Sequence, residues 1–474
     1  MYYDKKYNVV KPERKKFALS NFLGYDENKK SRDLPCDYVD CAYNYRFKNN
    51  KLVNPYGVSE FKIGDYVFPP TPAIRGKVCV FCTTMLVEYA TKFTILISHD
   101  GGVDYCVKGD TEWRHIAKPR AYTCGAIYYI DTDPILFVGG KNGVEWFCND
   151  EFFTALEKEV IDMCLHYERL FIVVAEKHNS VWFSKSGIPT EWDHDIDKGG
   201  YINFDGTLGE VNTIKSFNNY LYIFCDYGIY RLTAYGDQTQ FNLKKIYTSS
   251  GRIFAKTVTQ CGEYIAFVGE DGLFLFDGYD VTRYTTKINN LISDGLDDVS
   301  ACYSNHKYIV SFTDNTDTDY GVFNEERKNN TLLVFDIDDK GVELMKGVSL
   351  KHICAVNESD YCKVVALSDD SRMFVQLDDS GLYLGNPMLK YWESGNIDFS
   401  RPADVKMIRS VEYSAKSDYY LGIICNGERK EFLLSAKEKK RPIYIKGKEF
   451  KFYIKSDNEN EEIYPPTLVV DFLK

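Results

Sequence analysis

One phrase recurs along the chain: an apolar run of four to six residues, a short polar turn, then a second apolar run. Short apolar runs bounded by turn residues read as strands, and two of them around a tight turn read as a hairpin. Seven copies stand in order. They are Phe93–Ile97 with Val103–Val107, Ile135–Val138 with Val144–Phe147, and Arg169–Val174 with Val181–Phe183. Tyr220–Phe224 with Ile229–Leu232 and Tyr264–Val268 with Leu273–Phe276 follow. Tyr308–Phe312 with Leu332–Phe335 and Val364–Leu367 with Met373–Leu377 complete the series. Tyr220, Tyr264 and Tyr308 open three consecutive copies at a 44-residue interval. A repeat of ~40–50 residues matches one four-stranded propeller blade. The pattern therefore predicts an all-β fold, a β-propeller of about seven blades. Helical periodicity is confined to Glu151 to Leu165, where Phe153, Leu156, Val160 and Met163 fall three and four apart and predict one short helix.

The flanks read differently. Residues 1–41 are dense in charge, with Lys11-Pro12-Glu13-Arg14-Lys15-Lys16 at their centre, and read as an extended N-terminal arm. Its short apolar runs, Phe17-Ala18-Leu19 and Phe22-Leu23, could dock on a neighbouring subunit. Strand signals begin with a hairpin around Lys48-Asn49-Asn50-Lys51, so the propeller is expected over 42–389. From Trp392 onward new strands appear, at Ser410–Tyr413, Tyr419–Ile424, Lys451–Ile454 and Thr467–Phe472. Residues 390–474 are expected to form a β-sandwich-like module.

Composition sharpens this picture. Aromatic residues are 15% of the chain, with 37 Tyr and 30 Phe, which suits pleated, half-buried surfaces. The N-terminus lacks the apolar core of a secretory signal, and no run approaches the ~18 residues of a transmembrane helix. The 14 Cys are then expected as reduced thiols, several of them in apolar strands such as Ile223-Phe224-Cys225. A net charge of −11 argues against a protein that coats nucleic acid, which needs a basic footprint.

Candidate chemistry is sparse. Cys79-x-x-Cys82 lacks the second ligand pair of a zinc site, and two Cys three apart on a strand face opposite ways. His194 lies in the polar run Glu191-Trp192-Asp193-His194-Asp195, which reads as a solvated loop. The acidic runs Asp314 to Asp319 and Asp457 to Glu462 read the same way. Ser98-His99-Asp100-Gly101-Gly102-Val103-Asp104-Tyr105 resembles the Asp box of sialidase-like propellers, a turn-bracing device rather than a catalytic one. No P-loop, nucleophile elbow or dinucleotide fingerprint is present. No catalytic, cofactor-binding or metal-binding residue is assigned, no cofactor is expected, and the chain is not expected to be an enzyme.

Four phrases, in order, resemble the propeller-type tail nozzle or tail tube B structural proteins of tailed bacteriophages. The first runs from Asn21-Phe22-Leu23-Gly24-Tyr25 through Leu34-Pro35 and Ala42-Tyr43-Asn44-Tyr45-Arg46-Phe47 to Lys51-Leu52-Val53-Asn54-Pro55-Tyr56-Gly57. Here Asn49-Asn50 stands for the usual Gly, and Asn54-Pro55-Tyr56 for an Arg-centred triplet. The others are Val181-Trp182-Phe183-Ser184 through Gly187-Ile188-Pro189 to Trp192, Gly269-Glu270-Asp271-Gly272-Leu273-Phe274-Leu275-Phe276-Asp277-Gly278, and Tyr391-Trp392-Glu393-Ser394-Gly395. The resemblance implies a virion structural role without catalysis, in a head–tail connector or tail nozzle. Its expected partners are copies of itself in a ring and the portal, adaptor and tail proteins of the particle. DNA would pass without specific binding. A second reading keeps the propeller but places it at the tail tip as a receptor-binding protein for host-surface glycans. Trp113, Trp146, Trp182 and Trp192 would then offer stacking surfaces.

Overall fold

The computed structural model describes residues 12–20, 22, 24–25, 38–74, 76–119, 121–177, 179–285, 299–314, 328–358, 361–368 and 372–473. The stretch 26–37 and the acidic run 315–319 lie outside them.

Each of the seven predicted hairpins becomes the second and third strands of a blade: six blades are four-stranded antiparallel sheets, and the seventh belongs to a six-stranded sheet. Blade 1 is Val78–Val87, Ala90–His99, Gly101–Val107 and Arg114–Lys118. Blade 2 is Tyr122–Ile130, Asp133–Gly140, Gly143–Cys148 and Glu151–Leu156. Blade 3 is Val160–His166, Arg169–Val174, Ser180–Phe183 and Gly200–Asn203. Blade 4 is Val211–Phe217, Tyr220–Cys225, Gly228–Thr233 and Asn242–Thr248. Blade 5 is Thr259–Cys261, Tyr264–Gly269, Gly272–Phe276 and Val281–Thr285. Blade 6 is Ser300–Ser304, Lys307–Phe312, Thr331–Asp336 and Val342–Lys346. Blade 7 has Leu350–Glu358, Tyr361–Ser368 and Met373–Asp378, and takes its fourth strand, Gly57–Glu60, from the other end of the chain.

The first strand of each blade lies against the first strand of the next, and Leu350–Glu358 returns against Val78–Val87. The fold is therefore a closed seven-bladed β-propeller. Every seam carries its own apolar cluster. Leu221, Ile223 and Cys225 meet Phe171 and Val173 between blades 3 and 4, for example, and Phe93 and Ile97 meet Val365 and Phe374 between blades 7 and 1. Burying such a side chain stabilises by about 1.5–3 kcal/mol, so the ring is held by seams as much as by hydrogen bonds. The ring closes through Val58 opposite Leu377 and Ser59 opposite Gln376.

The helix expected over Glu151 to Leu165 is instead two strands, Glu151–Leu156 and Val160–His166, in different blades. The chain breaks at Glu157-Lys158-Glu159; Leu156, Val160 and Met163 pack into the seam of blades 2 and 3 from both sides of the break, while Phe153 is exposed.

The segment expected as an arm is built into the C-terminal module. Glu13–Ala18 pairs along its whole length with Thr467–Leu473, and Tyr38–Tyr43 pairs with Lys390–Ser394. One sheet runs Glu13–Ala18, Thr467–Leu473, Val405–Glu412, Lys440–Gly447. The other runs Gly24–Tyr25, Tyr38–Tyr43, Lys390–Ser394, Lys451–Ser456, Tyr419–Cys425, Glu428–Leu434. Between them lies one core that includes Leu19, Phe22, Trp392, Ile408 and Phe452. The hairpin Arg46–Phe47 and Leu52–Val53 pairs with Glu462–Ile463, so it too belongs with the module rather than the propeller. The sandwich meets the propeller at the seam of blades 5 and 6, where Tyr43, Tyr391 and Tyr453 stack in series beside Leu344 and Phe335.

Candidate functional site

The residues singled out by sequence scatter. Cys79 and Cys82 both lie on the first strand of blade 1, but they do not converge on a shared ligand set. Cys82 interacts with Cys354 of blade 7. Trp113 is locked by a hydrogen bond from its indole N–H to the Pro69 carbonyl at 3.0 Å and by stacking on Phe374. Trp192 is buried in the seam of blades 2 and 3, and Trp146 stacks on Phe137 and Phe153. Trp182 is partly exposed: His194 packs edge-on to its ring at 4.6 Å, and Tyr201 stacks at 5.9 Å. His194 thus sits in an aromatic group, flanked by Asp193 and Asp195 that pair with Lys198.

The first strands of the blades line the propeller axis. Asp162 of blade 3 accepts from the Ile214 N–H at 3.0 Å and from Thr213 Oγ1, with Lys215 Nζ at 3.4 Å, all on blade 4. Cys79 lies within electrostatic reach of Lys256, Asp162 and Cys354, which come from three other parts of the ring. Burial pushes the Cys79 thiol up to about 12 and that of Cys164 up to about 11. Thiols held protonated in this way are poor nucleophiles. For Lys215 burial works against the charge, and Asp162 beside it more than compensates, leaving its ammonium favoured.

One face of the disc is aromatic. In an antiparallel blade, the turn between strands one and two and the turn between three and four emerge on the same face. Tyr89 and Tyr129 sit at first-to-second turns of blades 1 and 2, exposed by 86% and 61%. Tyr235 and Tyr279 sit at third-to-fourth turns of blades 4 and 5, exposed by 69% and 71%. Tyr167, at the first-to-second turn of blade 3, meets Tyr235 edge to face at 5.1 Å. Ile188 and Ile196 add exposed aliphatic surface from blade 3. These solvent-facing rings stand on five adjacent blades.

The opposite face carries a polar triad. His99 ends the second strand of blade 1, Asp104 lies on the third and His115 on the fourth. Asp104 stands directly across from His115 in register, and His99 opposes Gly102, two residues before Asp104. One Asp104 oxygen lies 2.8 Å from His99 Nε2, the other 2.8 Å from His115 Nδ1. His99 and Asp104 are buried, while the His115 side chain is 51% exposed. The His115 ring lies so close over Gly102 that a Cβ there would be 2.2 Å from Cε1, so the third strand needs glycine at this position. Sequence reading marked Ser98 to Tyr105 as a turn and missed His115, whose partnership depends on strand register.

No family model and no curated protein matches this chain. Among solved structures it is similar to the extracellular domain of BT4673 from B. thetaiotaomicron, at 14% identity over 80% of this chain, with a TM-score of 0.42. The chain spans about half of that neighbour, 47% of its length. It is also similar to the AfRom2 CNH domain, at 9% identity over 68% of this chain and 97% of that one, with a TM-score of 0.41. The WD40 domain of Neurospora crassa Pan2 is similar at 7% identity over 64% of this chain and 89% of that one, with a TM-score of 0.40.

Proposed function

We propose that this chain is a non-enzymatic virion structural protein of a tailed bacteriophage, a head–tail connector or tail nozzle subunit that assembles into a ring around the DNA channel. The observation that carries this reading is the aromatic face: Tyr89, Tyr129, Tyr167, Tyr235 and Tyr279 project from one side of a closed, rigid disc. Tyrosine supplies large contact area at low entropic cost and is enriched in interfaces. In this reading the DNA conduit lies between copies rather than through one propeller. A net charge of −11 suits a wall that must not retain the genome. The ordered phage-like phrases support the same role. Native mass spectrometry of the full chain, alone and with candidate portal and adaptor proteins, tests it. Rings are expected, and their loss in Tyr89→Ser/Tyr235→Ser/Tyr279→Ser is expected as well. A monomer under every condition overturns the proposal.

One observation favours the receptor-binding reading. Trp182, His194 and Tyr201 form an aromatic group at the outer edge of blade 3, with Asp193, Asp195 and Lys198 around it. A ring face bordered by hydrogen-bonding groups suits a sugar. Binding on a glycan array that Trp182→Ala abolishes would establish this reading, and silence on the array would remove it.

A further inference from the structure

The His99–Asp104–His115 triad gathers two imidazoles on one buried carboxylate. His99 Nδ1 lies 3.3 Å from the Asp100 carbonyl oxygen, and its Nε2 lies 2.8 Å from one Asp104 oxygen. With the ring proton on Nδ1 toward that carbonyl, the Nε2 lone pair and the Asp104 oxygen face one another and can share one cation. Asp104 is buried, and among the described residues its only charge partners are the two imidazoles, with no Lys or Arg beside it. A buried carboxylate needs a cation.

We propose that this triad is a binding site for a divalent transition-metal ion of the zinc class. His99 Nε2, Asp104 and His115 Nδ1 supply the donors, and the open side at His115 leaves room for water. One donor atom from each residue lies within 4.8 Å of the other two, and a rotation of the half-exposed His115 ring closes the set to the spacing that bonds of about 2.0–2.2 Å require. Imidazole and carboxylate together suit zinc and its neighbours, whereas magnesium and calcium favour all-oxygen sites. The Asp100 carbonyl on His99 Nδ1 is the outer partner that a metal-ligating histidine ordinarily has. Gly102 clears the space that the His115 ring occupies over the strand between.

The ion would tie together the second, third and fourth strands of blade 1. His99 and Asp104 share the strand faces of Ile97 and Cys106, which pack toward blade 7, so the tie lies at the seam where the ring closes. Its role is structural: it fixes the outer strand of the first blade and leaves the aromatic face untouched.

The test uses the full chain stripped with chelator and dialysed against Zn²⁺, with bound metal measured by elemental analysis. Co²⁺ serves as the spectroscopic probe. One ion per chain is expected, with weak visible cobalt bands and no intense thiolate-to-metal absorption, since nitrogen and oxygen are the donors. His115→Ala, a half-exposed change on an outer strand, should weaken affinity by roughly tenfold or more and abolish the zinc-induced rise in melting temperature. Asp104→Asn should do the same. No uptake by the wild-type chain, thiolate bands, or binding unchanged in His115→Ala would each overturn the site.

Discussion

Asn44 and Lys346 share a reciprocal pair of hydrogen bonds. Asn44 Oδ1 accepts from the Lys346 backbone N–H at 2.8 Å, and its Nδ2 donates to the Lys346 carbonyl at 3.0 Å. The side-chain amide thereby acts as a neighbouring strand for the last residue of blade 6. Nδ2 also donates to the Leu389 carbonyl at 2.7 Å, and the Asn44 N–H donates to Leu344. Asn44 adopts φ +59°, a region that asparagine tolerates better than most residues. One side chain thus joins the strand entering the propeller, the strand leaving it and the blade between them.

Replacing that side chain should weaken the joint between propeller and sandwich. Asn44→Ala removes three side-chain hydrogen bonds and leaves buried backbone groups without partners, each costing about 1–3 kcal/mol. A loss of about 3 kcal/mol in urea unfolding is expected. Asn44→Asp should be nearly as severe, because it keeps the acceptor but loses both donors. A loss under about 1 kcal/mol would show that the joint is held by the Tyr43–Tyr391–Tyr453 stack alone.

The same joint should sense pH. Burial pushes the Glu343 carboxyl, on the last strand of blade 6, up to about 7 despite the opposing pull of Arg46 and the Phe47 N–H. Its ordinary value is 4.5. The folded state therefore binds more protons than the unfolded chain between those values, and stability falls as pH rises from about 4.5 to 7. Glu343→Gln, which never ionises, should match wild type at pH 4 and exceed it at pH 8 by at most about 3 kcal/mol. Thermal melts at both pH values check this. A constant difference between the two proteins would contradict it.

At the axis, Asp162 holds Lys215 together with the Thr213 hydroxyl and the Ile214 N–H. Asp162→Ala leaves Lys215 charged and without that carboxylate, an expected loss of about 3 kcal/mol. Lys215→Met in that background should recover part of it, since an apolar chain suits the site. Chemical denaturation of the two single variants and the double variant gives the coupling directly. Additive losses would mean that the pair is energetically independent.

The blades were legible because both members of each hairpin are adjacent in sequence. Tyr220–Phe224 and Ile229–Leu232 announce themselves as a pair, and both are buried on both faces. What sequence could not show was pairing across hundreds of residues. Gly57–Glu60 has no apolar run of its own, and its place follows only from its register with Met373–Asp378. Glu13–Ala18 read as an arm because it is an edge strand whose side chains are largely exposed, with lysines that discourage further pairing. The polar triad was half legible: His99 and Asp104 stood in a marked turn, while His115 joined them through cross-strand register.

That edge strand supplies the last prediction. Glu13–Ala18 pairs in full with Thr467–Leu473, and Arg14 Nε meets Asp471 at 2.7 Å while Arg409 approaches the other Asp471 oxygen at 2.6 Å. The Asp471 side chain is buried, and the arginines beside it hold its carboxyl below the ordinary range. Leu19 and Phe22, just beyond the strand, fill the sandwich core, with Phe22 edge-on to Trp392 at 5.3 Å. Deleting residues 1–22 should therefore expose the Thr467–Leu473 edge and open the core, while the seven seams of the propeller stay intact. The expected outcome is two unfolding transitions in calorimetry, the first from the sandwich at reduced temperature, and protease cleavage confined to the sandwich segments, residues 23–53 and those beyond 390. Adding the deleted segment back as a peptide should restore a single transition, because the strand's partners remain in place. A truncated chain that melts like the intact one would show that the strand contributes nothing to the sandwich.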